Sequence, residues 1–417
     1  MSSRNKKYEI GTVENKKFLE ETRENLLNFG RKFLSPGGSS YYLGDDGNPW
    51  KNKNRETWIT SRMIHVYSIG TMLDYTGSSE LVDGALKGLC GELKDRINGG
   101  WYSGLTPEQG ILPNKQCYAH AFVILAASSA MLAGKSKADE LLREALEVFD
   151  LRFWNEEDGL AYDTWDTDFK VLEEYRGINA NMHTVEAFLA VADATGDEKY
   201  RLRSGRTIEH VIQWSACNEW RIPEHFTKEW IPNSDYNKEK PTDPFKPYGA
   251  TPGHGIEWAR LIIQWALSYW KENKDKTKYY IEVAENLYNR AVEDAWNVDG
   301  EAGIVYTTDW RGKPIVHDRM HWTLAEAINT SSVLWNITKK EKYSEDYKKY
   351  MRYLDEKVID YKNGSWFHQL DIHNNVIGTV WPGKSDIYHA LQATWIPYGT
   401  PEISIASDVE RRMRHLQ

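Results

Sequence analysis

The stretch QCYAHAFVILAASSAMLAGKSKADELLREALEVFDLRF, Gln116 to Phe153, holds two helices of opposite character joined by one turn. The first half is small and apolar almost all round, the pattern of a helix enclosed by protein on every side. The second half sets Leu, Ala, Val and Phe three and four positions apart among Asp, Glu and Arg, so only one face is apolar. The intervening Ala-Gly-Lys-Ser is a helix stop. The pair reads as an inner helix followed by an outer one.

Working outward, the same pair recurs along the chain. A helix over roughly 14–34 precedes TWITSRMIHVYSIGTMLDYT (57–76), which a Gly-Ser turn separates from a helix over roughly 79–96. NMHTVEAFLAVADAT (181–195) is followed by a helix over 199–216, and 254–272 by 277–296. HWTLAEAINTSSVLWNIT (321–338) is followed by YSEDYKKYMRYLDEKV (343–358). SDIYHALQATW (385–395) ends the series, and the first helix is its partner around a ring. Trp- or Phe-containing turns with Gly follow several outer helices, as in NGGWYSG, FWNEEDGLAYDTW, AWNVDGEAGIVYTTDW and YKNGSWFHQLD, and read as short hairpins at one end. About six inner and six outer helices predict an all-α (α/α)6 barrel, and repeats of roughly 60 residues are long for an open solenoid. The reading is one catalytic domain over 1–417, with its core at about 15–398 and a detachable tail after Pro401.

The starts of the inner helices carry the chemistry. In ATPGHGIEWARLIIQW (250–265), Thr251 reads as the N-cap and Pro252 as the first helical residue. His254 and Glu257 then lie on the face that further along buries Leu261, Ile262 and Trp265. Equivalent opening turns carry Arg62, Tyr118 with His120, His183 with Glu186, Glu326 and His389. Parallel inner helices bring these groups to one mouth, flanked by Trp58, Trp310, Trp322 and Trp381 as platforms for a sugar face. His65, His210 and His415 lack that placement and read as structural. His317, His321, His368 and His373 read as exposed loop residues.

The chain has 417 residues, 41% hydrophobic and 13% aromatic, with a formal net charge of −9. That charge argues against nucleic acid as a partner. No apolar run approaches the roughly 20 residues of a membrane span, and the N-terminus lacks a signal-peptide pattern. Three widely spaced cysteines build neither a disulfide framework nor a CxxC metal site, which points to the cytoplasm. Nothing in the sequence fixes an oligomeric state.

Several chemistries suit histidines, carboxyls and an arginine at one mouth. Imidazole takes and returns protons near neutral pH, and a guanidinium holds an oxyanion, the equipment for removing a C–H proton beside a carbonyl. A helix N-terminus favours neutral imidazole at His254 and His389. Two H-x-x-E pairs and a further Glu are also potential ligands for iron or manganese, although carboxylate metal sites normally show E-x-x-H. Glu257 and Glu326 are potential glycosidase carboxyls, which leaves the histidines without a role. A non-catalytic sugar-binding ring is the fourth reading.

The motifs WITSRMIHVYS, GGWYS, EEYRGINANMHTVEAFL, TPGHGIEWARL, AGIVYTTDW and GKSDIYHALQ stand in an order and spacing that resemble the N-acylglucosamine 2-epimerase superfamily over roughly 15–398. The likeness is greatest to its aldose–ketose isomerases of the mannose isomerase and sulfoquinovose isomerase type. It implies an (α/α)6 barrel, no cofactor, no metal and a monosaccharide substrate. By matching position, it implies that His254 and His389 are the acid/base pair and that Arg62 holds the oxygens of an enediolate. It also implies that His183, Glu257 and Glu326 support ring opening, orientation and hydroxyl binding, while Tyr118, Asn179 and Trp58 line the pocket. Trp322, Trp381 and Ser385 join them as substrate-binding positions. Where sulfosugar-using relatives carry Arg and Gln, this chain has Pro244, His368 and Ser385, with Lys246 near the first. Those departures favour an uncharged hexose, D-mannose going to D-fructose, with a sugar 2-epimerase as the alternative within the family.

Overall fold

Burial separates the two helix classes that the sequence distinguishes. In a computed structural model describing residues 3–415, every residue from Ala119 to Ala130 is buried. The following helix buries only Ala138, Leu141, Leu142, Ala145 and Phe149, one stripe at helical spacing. The helices are α1 (Val13–Phe29), α2 (Thr57–Met72), α3 (Ser78–Cys90), α4 (Cys117–Leu132), α5 (Ala138–Arg152), α6 (Ile178–Thr195), α7 (Lys199–Ala216), α8 (Pro252–Tyr269), α9 (Lys274–Ala295), α10 (His321–Thr338), α11 (Glu341–Tyr353), α12 (Tyr388–Trp395) and α13 (Ile405–Arg414).

The even-numbered helices α2 to α12 neighbour one another in chain order, and α12 returns to α2. α3, α5, α7, α9 and α11 each pack on the inner helix before them, and α1 packs on α12. This is an (α/α)6 barrel. Its inner wall buries nearly every side chain, including all of Thr57–Gly70 and Pro252–Ala266, because an inner helix has barrel lining on one side and outer helices on the other.

One connection repeats at the mouth. The residues leading into an inner helix pair antiparallel with a strand lying beyond the next outer helix. Arg55–Glu56 pair with Gly104–Leu105, Asn114–Gln116 with Thr164–Asp166, Arg176–Gly177 with His225–Phe226, and Arg319–Met320 with Gln369–Leu370. Ala250 bridges Thr308, and the Lys384 N–H donates to the Leu43 carbonyl at 3.0 Å, closing the ring. Backbone hydrogen bonding thus fixes the start of every inner helix relative to its neighbour.

Two boundaries differ from the sequence reading. α12 begins at Tyr388, not Ser385: Asp386 Oδ1 accepts the Tyr388 N–H at 2.9 Å in an Asx turn that precedes the helix. The tail after Pro401 is not free of the barrel: it forms α13, which packs against α2, α4 and α6 and buries Ala406, Ser407, Asp408 and Val409. The Ser404 N–H donates to Asp193 near the C-terminal end of α6, so α13 covers the end of the barrel opposite the mouth.

Candidate active site

The mouth opens into a cavity between the inner-helix starts and the loops that precede them. Trp58, Arg62, Tyr118, Asn179, His183, His254, Glu257, Trp322, Trp381, Ser385 and His389 all line it. Glu326 lies one layer below, fully buried behind His389. Trp310 is outside, donating its indole N–H to the Ser234 carbonyl. Nor does His120 face the cavity, since its ring is tied to the Gln116 carbonyl and to the Trp101 N–H.

The first turn of α8 explains the local sequence. Pro252 starts the helix after the extended Thr251, whose hydroxyl makes no capping bond. A side chain at Gly253 would come within 2.7 Å of the Trp322 ring, so glycine lets that indole settle beside His254, with ring centroids 5.1 Å apart.

Three imidazoles on the cavity floor are each backed by a buried carboxyl. His183 Nδ1 lies 3.0 Å from Glu186, His254 Nδ1 2.8 Å from Glu224, and His389 Nδ1 3.1 Å from Glu326. A carboxylate only accepts, so each Nδ1 carries the hydrogen and each Nε2 keeps a lone pair for the cavity. Burial drives the His389 imidazole below its ordinary range, against the opposing pull of Glu326. Burial also lowers His183 to about 4. Burial alone would raise Glu186, but hydrogen bonds from His183 and Tyr388 bring it below the usual carboxyl range.

Two guanidinium groups complete the floor. Arg62 donates to the Tyr118 hydroxyl at 2.8 Å and pairs with Asp386 at 3.3 Å, boxed by the rings of Trp58, Phe122 and Tyr388. Arg260 donates to Glu326 at 3.0 Å and lies 3.7 Å from Glu257. Neither carboxyl oxygen of Glu257 has a hydrogen-bond partner among the described residues. Burial, reinforced by the neighbouring Glu326 charge, raises Glu257 well above the ordinary carboxyl range. It is a buried carboxyl on the cavity wall whose surroundings favour the protonated form.

The expectation of exposed loop histidines fails at two positions. His321 and His368 are buried, stack with centroids 3.7 Å apart and line the cavity, because the pairing of Arg319–Met320 with Gln369–Leu370 turns both inward. His373 is exposed, and His317 is half-exposed against Asp299. His65 bonds Ser129 and His210 bonds the Asp158 carbonyl, both structural roles. Pro244, His368 and Ser385 line the cavity, whereas Lys246 turns away to sit over the Tyr175 ring and 3.5 Å from Glu173.

Arg260, Asp386 and Glu224 were not singled out from sequence. Arg260 continues the three-residue spacing of His254 and Glu257 along α8, a signal that was available. Glu224 lies in a loop 30 residues before its partner His254, with no periodicity to mark it.

The arrangement resolves two of the alternative chemistries. A glycosidase needs two carboxyls opposed across the substrate, but Glu326 is held beneath the floor by Arg260 and His389. A passive sugar-binding ring needs no imidazoles with tautomers set by buried carboxyls.

Comparison with known proteins agrees with this geometry. Residues 37–393 match the profile of the N-acylglucosamine 2-epimerase family. The chain is 39% identical over 366 residues to a D-mannose isomerase of Pseudomonas cannabina pv. alisalensis, covering 88% of each chain. It is 39% identical over 383 residues to a D-mannose isomerase of Thermobifida fusca, covering 91% of this chain and 93% of that one. The crystal structure of a D-mannose isomerase superposes with a TM-score of 0.84 at 27% identity, covering 91% of this chain and 97% of the other. The chain belongs to the N-acylglucosamine 2-epimerase family.

Proposed function

We propose that this protein is an aldose–ketose isomerase that interconverts D-mannose and D-fructose by proton transfer through a cis-enediolate. The observation that carries the reading is the set of carboxyl-backed imidazoles around Arg62 on one cavity floor. The relatives named D-mannose isomerase support the substrate.

Ring opening exposes the C1 carbonyl, with His183 and Glu257 exchanging protons with the ring and anomeric oxygens. His254 or His389 then takes the C2 proton. As the C2–H bond breaks, the C1=C2 bond forms and O1 gains the negative charge, which Arg62 stabilises. The imidazolium then delivers a proton to C1 while the O2 proton passes to O1, which leaves a ketone at C2 and a hydroxyl at C1. The carboxyls behind the two histidines hold each Nε2 toward the reacting carbons and stabilise the imidazolium that forms transiently. Trp58, Trp322 and Trp381 present faces to the sugar, and Tyr118, Asn179 and Ser385 bind hydroxyls. The side chains at Pro244, His368 and Ser385 offer no fixed cation to an anionic C6 substituent, which favours an uncharged hexose.

The test is incubation with D-mannose in D2O. Fructose carrying deuterium at C1 is expected, with deuterium entering C2 of recovered mannose through reversal. Accumulation of glucose labelled at C2 makes the protein a 2-epimerase, and unchanged mannose overturns the reading.

A further inference from the structure

We propose that Arg260 is a positioning residue: by bonding one of two neighbouring carboxyls and not the other, it makes Glu326 the support of His389 and leaves Glu257 to the sugar. This role deepens the isomerase reading and rests on it. On α8, His254, Glu257 and Arg260 follow at three-residue spacing down one face, so Arg260 comes a turn after Glu257, deeper in the barrel. Its Nε donates to Glu326 on α10 at 3.0 Å, and the other oxygen of Glu326 meets His389 Nδ1 on α12 at 3.1 Å. These two bonds run from the helix that carries His254, through α10, to the helix that carries His389. They tie the two rings to each other across three inner helices.

The same guanidinium stops short of Glu257. Its Nη2 lies 3.7 Å from that carboxyl and has no hydrogen-bond partner among the described residues. An oxygen of each carboxyl and a nitrogen of His389 all lie within 4.8 Å of one another, so proximity alone does not decide which carboxyl backs the ring. Arg260 decides it. Glu326 has both oxygens bonded below the cavity, whereas Glu257 lines the cavity with neither oxygen bonded. The charged neighbours of Glu326 are Arg260 and Glu257 on α8, His389 on α12 and Glu186 on α6. Burial alone would raise the Glu326 carboxyl, but Arg260, ahead of His389, holds it below its ordinary range against Glu186. Without the guanidinium, Glu326 keeps a proton and donates it to Nδ1. The ring hydrogen then moves to Nε2, the atom that must accept the C2 proton.

The test combines kinetics on D-mannose with nitrogen NMR spectra of the full chain labelled at histidine, the His389 signals being identified by their loss in His389→Ala. Arg260→Met should lower kcat at pH 7 by at least ~10²-fold and move the acid limb of kcat/KM upward by about one pH unit or more. Adding Arg260→Met to Glu326→Gln should cost less than about fivefold more, because Arg260 acts through Glu326. In the spectra at pH 7, His389 of wild type should carry its hydrogen on Nδ1, and that of Arg260→Met on Nε2. A loss of kcat with acid limb and tautomer unchanged is a packing effect and overturns the role. A further loss above fivefold in the double variant overturns it as well. Should Arg260→Met misfold, Glu326→Gln against the double variant, which lacks both partners of the ion pair, decides the matter. The tautomer is read without turnover. A chain that leaves mannose unchanged while His389 responds to Arg260→Met removes the isomerase reading alone, and an active isomerase whose His389 ignores the substitution removes this role alone.

Discussion

At the scale of residues, His389 and His254 are oriented by carboxyls that do not line the cavity. His254→Ala and His389→Ala should each lower kcat by at least ~10²-fold, the ordinary scale for losing a general acid or base. The melting temperature should change little, because both rings border a cavity; turnover near wild type in either variant removes that histidine from the chemistry. A base works as neutral imidazole, and burial pushes His389 below its ordinary value of 6.5. The acid limb of kcat/KM should therefore lie below pH 6.5, and a limb centred above it contradicts the assignment. Glu224→Gln tests the positioning role. An amide can donate to Nδ1 where the carboxylate only accepts, which moves the ring hydrogen to Nε2 and leaves no lone pair facing the cavity, so kcat should fall by roughly 10² or more. Normal kcat with raised KM would make Glu224 a mere support for the loop.

At the scale of elements, the segment leading into α12 hangs on Lys384. Its fully buried ammonium donates to Asp360 at 2.7 Å, to the Gly364 carbonyl at 2.7 Å and to the Asp45 carbonyl at 2.9 Å. Lys115 makes a parallel set with Asp95 and the Gly99 carbonyl before α4, so the device recurs in two repeats. Lys384→Met should cost about 3–5 kcal/mol by leaving Asp360 buried and unpaired. It should also reduce kcat, since Ser385 and Asp386 follow directly; denaturant melts and kinetics on the same sample check both. The last helix makes a second test. Ending the chain at Pro401 removes the buried Val409, worth about 2 kcal/mol, and the Asp408 carboxyl that accepts from Trp395 and Thr400. The truncated chain should melt at least ~5 °C lower, and an unaltered melting temperature would restore the view of a detachable tail.

At the scale of the whole molecule, the barrel buries histidines that titrate when it opens. His65, His120, His183 and His368 are each lowered from 6.5 to about 4 by burial. A lowered pKa means that the unfolded chain binds protons the folded chain does not, so the stabilisation is complete above pH 6.5 and is lost as pH falls toward 4. Each such group contributes a slope of about 1.4 kcal/mol per pH unit in that window. Glu56, Asp163, Glu257 and Asp318, raised by burial, act in the opposite sense, but burial also lowers His225, His321 and His389, so seven histidines stand against four carboxyls. The melting temperature at pH 5 should therefore lie clearly below that at pH 7 at equal ionic strength. Equal values would show that these rings are protonated in the folded state.

The sequence by itself determined the helix pairs, because an inner helix such as 117–132 must be apolar on all sides and an outer one such as 138–152 on one stripe, a difference periodicity records. It also determined that His183, His254, Glu257 and His389 share a mouth, since their places in the opening turns repeat with the barrel. Local pattern carries no information about partners brought together by ring closure. Glu224 meets His254, Asp386 meets Arg62 across 324 positions, and His321 stacks on His368 only through tertiary pairing. The same holds for α13, whose charged sequence reads as a free tail until the barrel end supplies the surface that buries Val409. What the tertiary structure decided was which polar groups are removed from water. That removal sets the tautomers, pushes Glu257 toward its protonated form and turns a ring of ordinary side chains into a site.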